Sequence, residues 1–213
     1  MKPKVIDPYK MIVKRTEEVD GEKDWLWIKG DRYAFSAPAS DWPVLRDLVL
    51  ANVRSRGTII QAGGLMGMYP RLWAKYFDVV YTFEPNAFNF FLLTQNCRSE
   101  SIVKIQAALG SRVGVVKSTN IRYGNMGLCK VANGGIVPLL RIDDFDVGCV
   151  DAIQLDCEGS EPEIIQGALR TIGRYKPVVV CESVSGRMHS SMETLGYRKT
   201  LKHGMDTIFV YEF

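Results

Sequence analysis

The sequence predicts a doubly wound α/β domain, a mostly parallel sheet with helices on both faces, and three observations carry that prediction. Apolar runs at 58–62, 79–84, 103–108, 152–156 and 178–182 are almost unbroken in Val, Ile and aromatic residues, as strands buried on both faces must be. Most are separated by segments of helical periodicity about 10–15 residues long, the spacing of crossover connections between parallel strands. Directly after the first run comes a glycine turn, Gly63-Gly64-Leu65-Met66-Gly67, where such sheets pass from strand to helix.

Taken in order, residues 1–40 read as an N-terminal extension and 41–213 as the main domain. Charges crowd between Lys14 and Asp24. Trp25-Leu26-Trp27-Ile28 and Arg32-Tyr33-Ala34-Phe35 then flank a Lys29-Gly30-Asp31 turn, which predicts a β-hairpin with Trp25, Trp27, Tyr33 and Phe35 as its packed core. Ser40-Asp41-Trp42-Pro43 reads as a helix start, with a capping side chain and a proline in the first turn; Trp42, Leu45, Val49 and Val53 follow at helical spacing, and the helix ends before Gly57. After the strand at 58–62, Met68, Leu72, Trp73 and Tyr76 form one helix face. After 79–84, Phe88, Phe91, Leu92 and Gln95 form another, with polar Asn89 and Thr94 between them.

Glycines interrupt 110–148 repeatedly, predicting short strands at 113–118 and 137–142 and a mobile loop at 122–135. The strand at 152–156 leads into Ser160 and Glu163, read as the capping box of a helix whose Ile164, Ile165, Ala168, Leu169 and Ile172 face the sheet. Pro177 introduces the strand at 178–182. The end, 196–201 and 207–211 around His203-Gly204-Met205-Asp206, reads as an antiparallel hairpin.

Composition narrows the function. The 213 residues suit one domain, and 46% hydrophobic with 24% charged residues is ordinary for a globular chain. A net charge of +3 is too balanced for a protein that binds polyanions through phosphate contacts, so nucleic acid is not expected as a partner. No run approaches the ~20 apolar residues that span a bilayer, and Met1 to Asp7 lack the apolar core of a signal peptide. Cys97, Cys129, Cys149, Cys157 and Cys181 are odd in number and lack paired spacing, which reads as free thiols in a reducing compartment. The expected location is the cytoplasm, with no membrane partner; the sequence leaves the oligomeric state open.

The chemistry concentrates at strand ends. The glycine turn lets backbone approach a ligand and aims the next helix N-terminus at it, while Glu84, ending the second sheet strand, suits the ribose hydroxyls of an adenosine ligand. Two ligand classes fit. A dinucleotide site in the register Ala62-x-Gly64-x-x-Gly67 has alanine for its first glycine; an S-adenosylmethionine site in the register Gln61-x-Gly63-x-x-x-Gly67 lacks only the leading acid.

The fourth strand separates them. Gln154-Leu155-Asp156-Cys157-Glu158-Gly159-Ser160-Glu161, preceded by Asp143-Asp144-Phe145 and Val150-Asp151, resembles the K-I-D-V-E-G-A-E signature of the FkbM family of S-adenosylmethionine-dependent methyltransferases. The turn, Phe83-Glu84-Pro85-Asn86, Ala107-Ala108-Leu109-Gly110, the run into Asp143-Asp144 and the Lys176-Pro177…Glu182 strand follow in that family's order, over about residues 57–183. The resemblance implies a class I fold of seven strands in the order 3-2-1-4-5-7-6, the last antiparallel, with S-adenosylmethionine as cofactor. It places cofactor contacts at Gln61, Ala62, Gly63, Gly64, Gly67, Glu84, Pro85, Asn86, Ala107, Ala108 and Asp156. Two departures stand out: Gln61 and Gly64 replace the family's usual Asp and Asn in the turn, removing a negative charge near the sulfonium, and Gln154 replaces a common lysine.

Methyl transfer needs alignment, exclusion of water and, for a hydroxyl acceptor, a base. Asp156 and Glu158 leave the carboxyl edge of the fourth strand and are the candidate bases, though carboxylates there also suit the N–H groups of the next helix. Glu182 borders the same edge, and His189, placed in the loop after the fifth strand, is a third candidate. No metal is expected, because the spacing of Asp156, Glu158 and Glu182 does not demand one. Asn120, Tyr123, Asn125 and Asn133 in the 122–135 region are candidates for acceptor contact or a lid. The expected activity is methylation of a hydroxyl on a small-molecule or carbohydrate acceptor. The alternatives are a degenerate methyltransferase-like binding domain and an NAD-dependent oxidoreductase.

Overall fold

The structure, a computed structural model, describes residues 8–31, 33–118, 127–128, 130–182 and 184–212. A 3-10 turn, Pro8–Met11, leads into β1 (Ile12–Arg15), which pairs antiparallel with β2 (Trp25–Ile28) in the register Ile12↔Ile28 to Arg15↔Trp25. The partner of Trp25-Leu26-Trp27-Ile28 is therefore β1, and not the segment at 32–35 that turn chemistry suggested. The reason is Asp31, whose Oδ1 accepts from the N–H groups of Tyr33 (3.2 Å) and Ala34 (3.1 Å) and so turns the chain into α1 (Ser36–Leu50) instead of a returning strand. Trp25, Trp27 and Phe35 are buried, with the Trp27 and Phe35 rings edge to face at 5.0 Å, but Tyr33 is 65% exposed and lies outside that core.

Helix α1 begins four residues before Ser40. The Ser40 hydroxyl donates to the Ala37 carbonyl within the first turns, and Pro43 sits inside the helix. Pro43 forfeits one helical hydrogen bond, but Trp42, Leu45 and Val49 bury the face around it as their spacing predicted.

From here the chain alternates: β3 (Thr58–Ala62), α2 (Met68–Trp73), β4 (Val79–Phe83), α3 (Ala87–Asn96) and β5 (Ile102–Ile105). The expected strand at 103–108 is two. After Ile105 the chain leaves the main sheet, and Ala108–Leu109 (β6) pairs parallel with β9 of a second, four-stranded sheet ordered β6-β9-β7-β8, comprising β7 (Gly114–Ser118), β8 (Val131–Asn133) and β9 (Val137–Leu140). Of the loop expected at 122–135, residues 122–126 and Cys129 lie outside the described residues, as does Asn120; Val131–Asn133 is a strand held to β7 through Val116↔Asn133 and Ser118↔Val131.

A 3-10 turn at Ile142–Asp144 precedes β10 (Ala152–Leu155), α4 (Glu161–Gln166), α5 (Leu169–Tyr175), β11 (Val178–Glu182), α6 (Gly186–Thr194), β12 (Tyr197–His203) and β13 (Asp206–Tyr211). The capping box expected at Ser160 and Glu163 does not form. Ser160 caps with no side-chain bond, and Glu161 instead turns back to accept the Cys157 N–H at 2.7 Å. The single helix expected there breaks at Gly167, where a Cβ would stand 2.0 Å from the Gly110 carbonyl. Its apolar residues still face the sheet: Ile164, Ile165, Ala168 and Ile172 are buried.

The main sheet is ordered β5-β4-β3-β10-β11-β13-β12, with β13 antiparallel to both neighbours, which in sheet numbering is the 3-2-1-4-5-7-6 arrangement. Its two faces pack separate apolar layers. One holds Trp25, Trp27, Trp42 and Trp73 against Ile59 and Val80; the other holds Ile164, Ile172 and Met192 against Ile153 and Leu155. Trp73 Nε1 donates to Gln154 Oε1 at 2.6 Å in the first layer, so the glutamine standing at the family's lysine position is fixed by an indole. Cys97, Cys149, Cys157 and Cys181 are free thiols, and among the described residues no helix is long and apolar enough to cross a membrane.

Candidate active site

The carboxyl ends of β3, β4 and β10 meet at the glycine turn. Gly63 has φ +81°, and a Cβ there would lie 1.8 Å from the Asp156 carbonyl oxygen, so only glycine lets the ends of β3 and β10 approach this closely. The N–H groups of Gly63 (3.1 Å) and Gly64 (2.9 Å) both donate to the Phe83 carbonyl, which ties the turn to β4. Gly67, at φ +92°, starts α2, and a Cβ there would meet Cys97 Sγ at 2.7 Å.

Glu84 is the electrostatic centre of the turn. It is 4% exposed; Oε2 accepts from Leu65 N–H at 2.8 Å and Oε1 from Asn86 N–H at 2.7 Å. Burial pushes its pKa up to about 7, against the pull of those two N–H groups and of the Asn89 side chain beside it. Asn86 caps α3, its Oδ1 accepting from the N–H groups of Phe88 (3.0 Å) and Asn89 (3.1 Å).

Opposite Glu84, at the ends of β10, β11 and β13, stand four carboxylates. Burial, and after it the charge of the nearby Glu182 carboxylate, hold Asp156 well above the usual carboxylate range. Asp206 faces Glu182 in register, and burial followed by Glu182 raises it to about 6. Glu158, raised mainly by burial, has φ +54° on a non-glycine residue, a strained backbone that turns its side chain at the strand end. Tyr69, from α2, lies among the same acids, and burial with the charge of Asp156 pushes its phenol up.

Between these walls runs a cleft that opens to solvent. Of the residues predicted from sequence, Ala62, Gly63, Glu84, Pro85, Ala107, Ala108, Asp156 and Glu158 line it. Gln61, Gly64, Gly67, Asn86 and His189 do not. Gln61 is fully buried: Nε2 donates to the carbonyls of Ala62 (3.2 Å) and Gly63 (3.1 Å), and Oε1 accepts from Thr82 Oγ1 at 2.6 Å, so it braces the turn from behind. Gly64 packs under Leu93 and Thr82. His189 is not in a loop but in α6, whose Ser185 cap accepts from Met188 N–H; its ring leans on Phe209 with centroids 5.5 Å apart.

Sequence reasoning missed Asn89 as part of the site, along with Tyr69 and Asp206. Among the described residues no group of three or more His, Cys, Asp or Glu side chains is arranged to hold a metal ion.

Residues 68–199 match the family model described as the methyltransferase FkbM domain. No curated protein matches the chain by sequence. Among solved structures, the chain resembles a methyltransferase FkbM from Methylobacillus flagellatus KT, with TM-score 0.51 and 16% identity over 78% of this chain and 50% of that one. It also resembles the Pyrococcus abyssi tRNA (uracil-54, C5)-methyltransferase, solved with S-adenosyl-L-homocysteine, at TM-score 0.50 and 14% identity over 94% and 43%. A third likeness is DesVI of Streptomyces venezuelae, at TM-score 0.50 and 10% identity over 84% and 93%. The chain spans about half the length of the first of these and less of the second, and at such identities the likeness is one of fold.

Proposed function

We propose that this chain, which belongs to the FkbM methyltransferase family, transfers a methyl group from S-adenosylmethionine to a hydroxyl oxygen of a small-molecule or carbohydrate acceptor. The observation that carries the reading is the pairing, across one cleft, of Glu84, a buried acid bound to the glycine turn, with Asp156 and Glu158 at the end of β10. The residues present fit the cofactor. Gly63 lines the cleft with no side chain, and Glu84 keeps a lone pair on each oxygen for the ribose hydroxyls after its two backbone bonds.

When bound, S-adenosylmethionine supplies a methyl carbon already activated by its sulfonium. What remains for the protein is to place the acceptor oxygen in line and to receive its proton. Burial and the nearby Glu182 carboxylate keep Asp156 more basic than a solvated carboxylate. Asp156, when ionised, would take the proton that the acceptor hydroxyl gives up as the C–S bond breaks and the C–O bond forms. Glu158 and Asp206 add negative charge at the same edge, which disfavours phosphate-rich acceptors and favours neutral, hydroxylated ones.

Isothermal titration with S-adenosylmethionine, S-adenosylhomocysteine and NAD tests the reading. The expected result is micromolar binding of both adenosyl-sulfur ligands, abolished by Glu84→Ala, and no binding of NAD. Binding of NAD alone would replace the reading with an oxidoreductase; binding of none of the three would leave a degenerate domain.

A further inference from the structure

Asn89 is 0% exposed, lines the cleft, and makes no hydrogen bond of good geometry through its Oδ1 or Nδ2 among the described residues. A buried carboxamide left unpaired is a standing penalty on the fold, and a leucine of nearly the same shape would avoid it. The side chain rises from the first turn of α3, near enough to the Glu84 carboxylate for its amide to lower that group's pKa, but not in good hydrogen-bond geometry. The other cleft residues at this end, Leu65, Phe83, Pro85 and Ala107, carry no polar side chain.

The chemistry of the expected ligand explains the arrangement. A vicinal diol presents two O–H donors and also two oxygens that accept. Glu84 is an acceptor only, so it satisfies the hydroxyl protons and leaves the hydroxyl lone pairs unanswered. A carboxamide next to it brings the missing function, an N–H for a hydroxyl oxygen.

We propose that Asn89 is a ribose-binding residue, pairing with the diol of the adenosyl cofactor together with Glu84 and setting the preference for an unmodified ribose. This rests on the methyltransferase reading above. The unpaired amide is then a group kept ready for ligand at the expense of the ligand-free fold, a trade of stability for function.

The test is a cycle in which wild type and Asn89→Leu are each titrated with S-adenosylhomocysteine and with its 2′-deoxy and 3′-deoxy analogues, alongside thermal unfolding of the ligand-free proteins. Asn89→Leu is expected to weaken S-adenosylhomocysteine by about tenfold or more. It is also expected to raise the ligand-free Tm by roughly 2–4 °C. Removal of the ribose hydroxyl that Asn89 contacts should weaken binding to wild type more than to the variant, because the variant has already lost the Asn89 part of that contact and keeps only the Glu84 part. Equal deoxy penalties in both proteins, or a lowered Tm with unchanged affinity, would overturn the assignment and make Asn89 a packing residue. Should Asn89→Leu fail to fold, Asn89→Ala removes the same polar atoms and reads the same cycle. Wild type that binds none of the three ligands would overturn the methyltransferase reading and this assignment with it; wild type that binds them while the variants match it would overturn this assignment alone.

Discussion

Cofactor binding is expected to be linked to a proton on Glu84. The carboxyl is buried between the glycine turn and the cap of α3, and with a pKa of about 7 it is roughly one-tenth ionised at pH 6 and nine-tenths at pH 8. Only the ionised form accepts from both ribose hydroxyls while also holding Leu65 N–H and Asn86 N–H. Affinity for S-adenosylhomocysteine should therefore rise about tenfold from pH 6 to pH 8, or roughly 1.4 kcal/mol, with nearly one proton released on binding at pH 6. Titration calorimetry in two buffers of different ionisation enthalpy measures that proton directly. Glu84→Gln, which cannot ionise, should bind weakly and with no pH dependence. The same group tilts ligand-free stability in the opposite direction. Its folded pKa lies above 4.5, so its contribution is fully present below the unfolded value and is lost as pH rises through about 7, a difference of roughly 3 kcal/mol. Affinity that stays flat or falls between pH 6 and 8 would refute the account of Glu84 as an ionised ribose acceptor.

Three further outcomes follow from the geometry. Gly63→Ala forces a Cβ to 1.8 Å from the Asp156 carbonyl at φ +81°, and should lower stability by more than about 3 kcal/mol in urea unfolding; a loss under about 0.5 kcal/mol would show that the turn relaxes freely. Trp73→Phe strands the buried Gln154 Oε1 and should destabilise by about 1–3 kcal/mol, much of it recovered on adding Gln154→Leu; additive losses would mean that the 2.6 Å bond carries no coupling. Asp156→Asn removes a buried carboxyl held above its usual range by burial and Glu182. Because stability from such a group is lost as pH rises, the variant should unfold at higher denaturant than wild type at pH 8 and show a flatter pH profile; lower stability at that pH would contradict the crowding of Asp156 with Glu182.

The sheet was legible because its physics is local. Ile59, Ile60, Val80, Ile153 and Val179 must be apolar on both faces of a parallel sheet, and Gly63 must be glycine where two strand ends converge. The N-terminal hairpin was not, since Trp25-Leu26-Trp27-Ile28 pairs as well with one short strand as with another. The choice falls to tertiary contacts: Asn96 of α3 accepts the Leu26 N–H and donates to its carbonyl, both at 2.8 Å, leaving only the opposite edge of β2 for β1. Asp156, Glu182, Asp206 and Tyr69 converge only through strand register and the return of α2, which spacing along the chain does not encode. Asn89 did leave a signal. It lies three, four and seven residues before Leu92, Leu93 and Asn96, the stripe that α3 buries, whereas the helix face read from Phe88, Phe91, Leu92 and Gln95 shared only Leu92 with that stripe and set Asn89 to one side. An asparagine on a buried stripe marks either a paired core amide, as Asn96 is, or a ligand contact, and only the structure separates the two.

Gln61 shows why a departure from a family pattern has to be judged by what the side chain touches. At the place where the family carries an acid, loss of charge near a sulfonium suggested weakened cofactor binding, and Gln61→Asp would then restore affinity. The geometry argues the reverse. The side chain is fully buried behind the turn and does not line the cleft; its amide donates to two backbone carbonyls, and its oxygen receives the Thr82 hydroxyl. An aspartate is shorter and has no donor, so it would set a carboxylate against the carbonyls of Ala62 and Gly63 with only Thr82 to satisfy it. The expected loss is about 2–4 kcal/mol of stability, with no gain in affinity for S-adenosylmethionine, because the negative charge on the cleft wall comes from Asp156 and Glu158. Urea unfolding and titration calorimetry on the same preparation decide it. Unchanged stability with tenfold tighter binding would mean that the turn rearranges to admit the new side chain, and that this glutamine marks a weakened cofactor site after all.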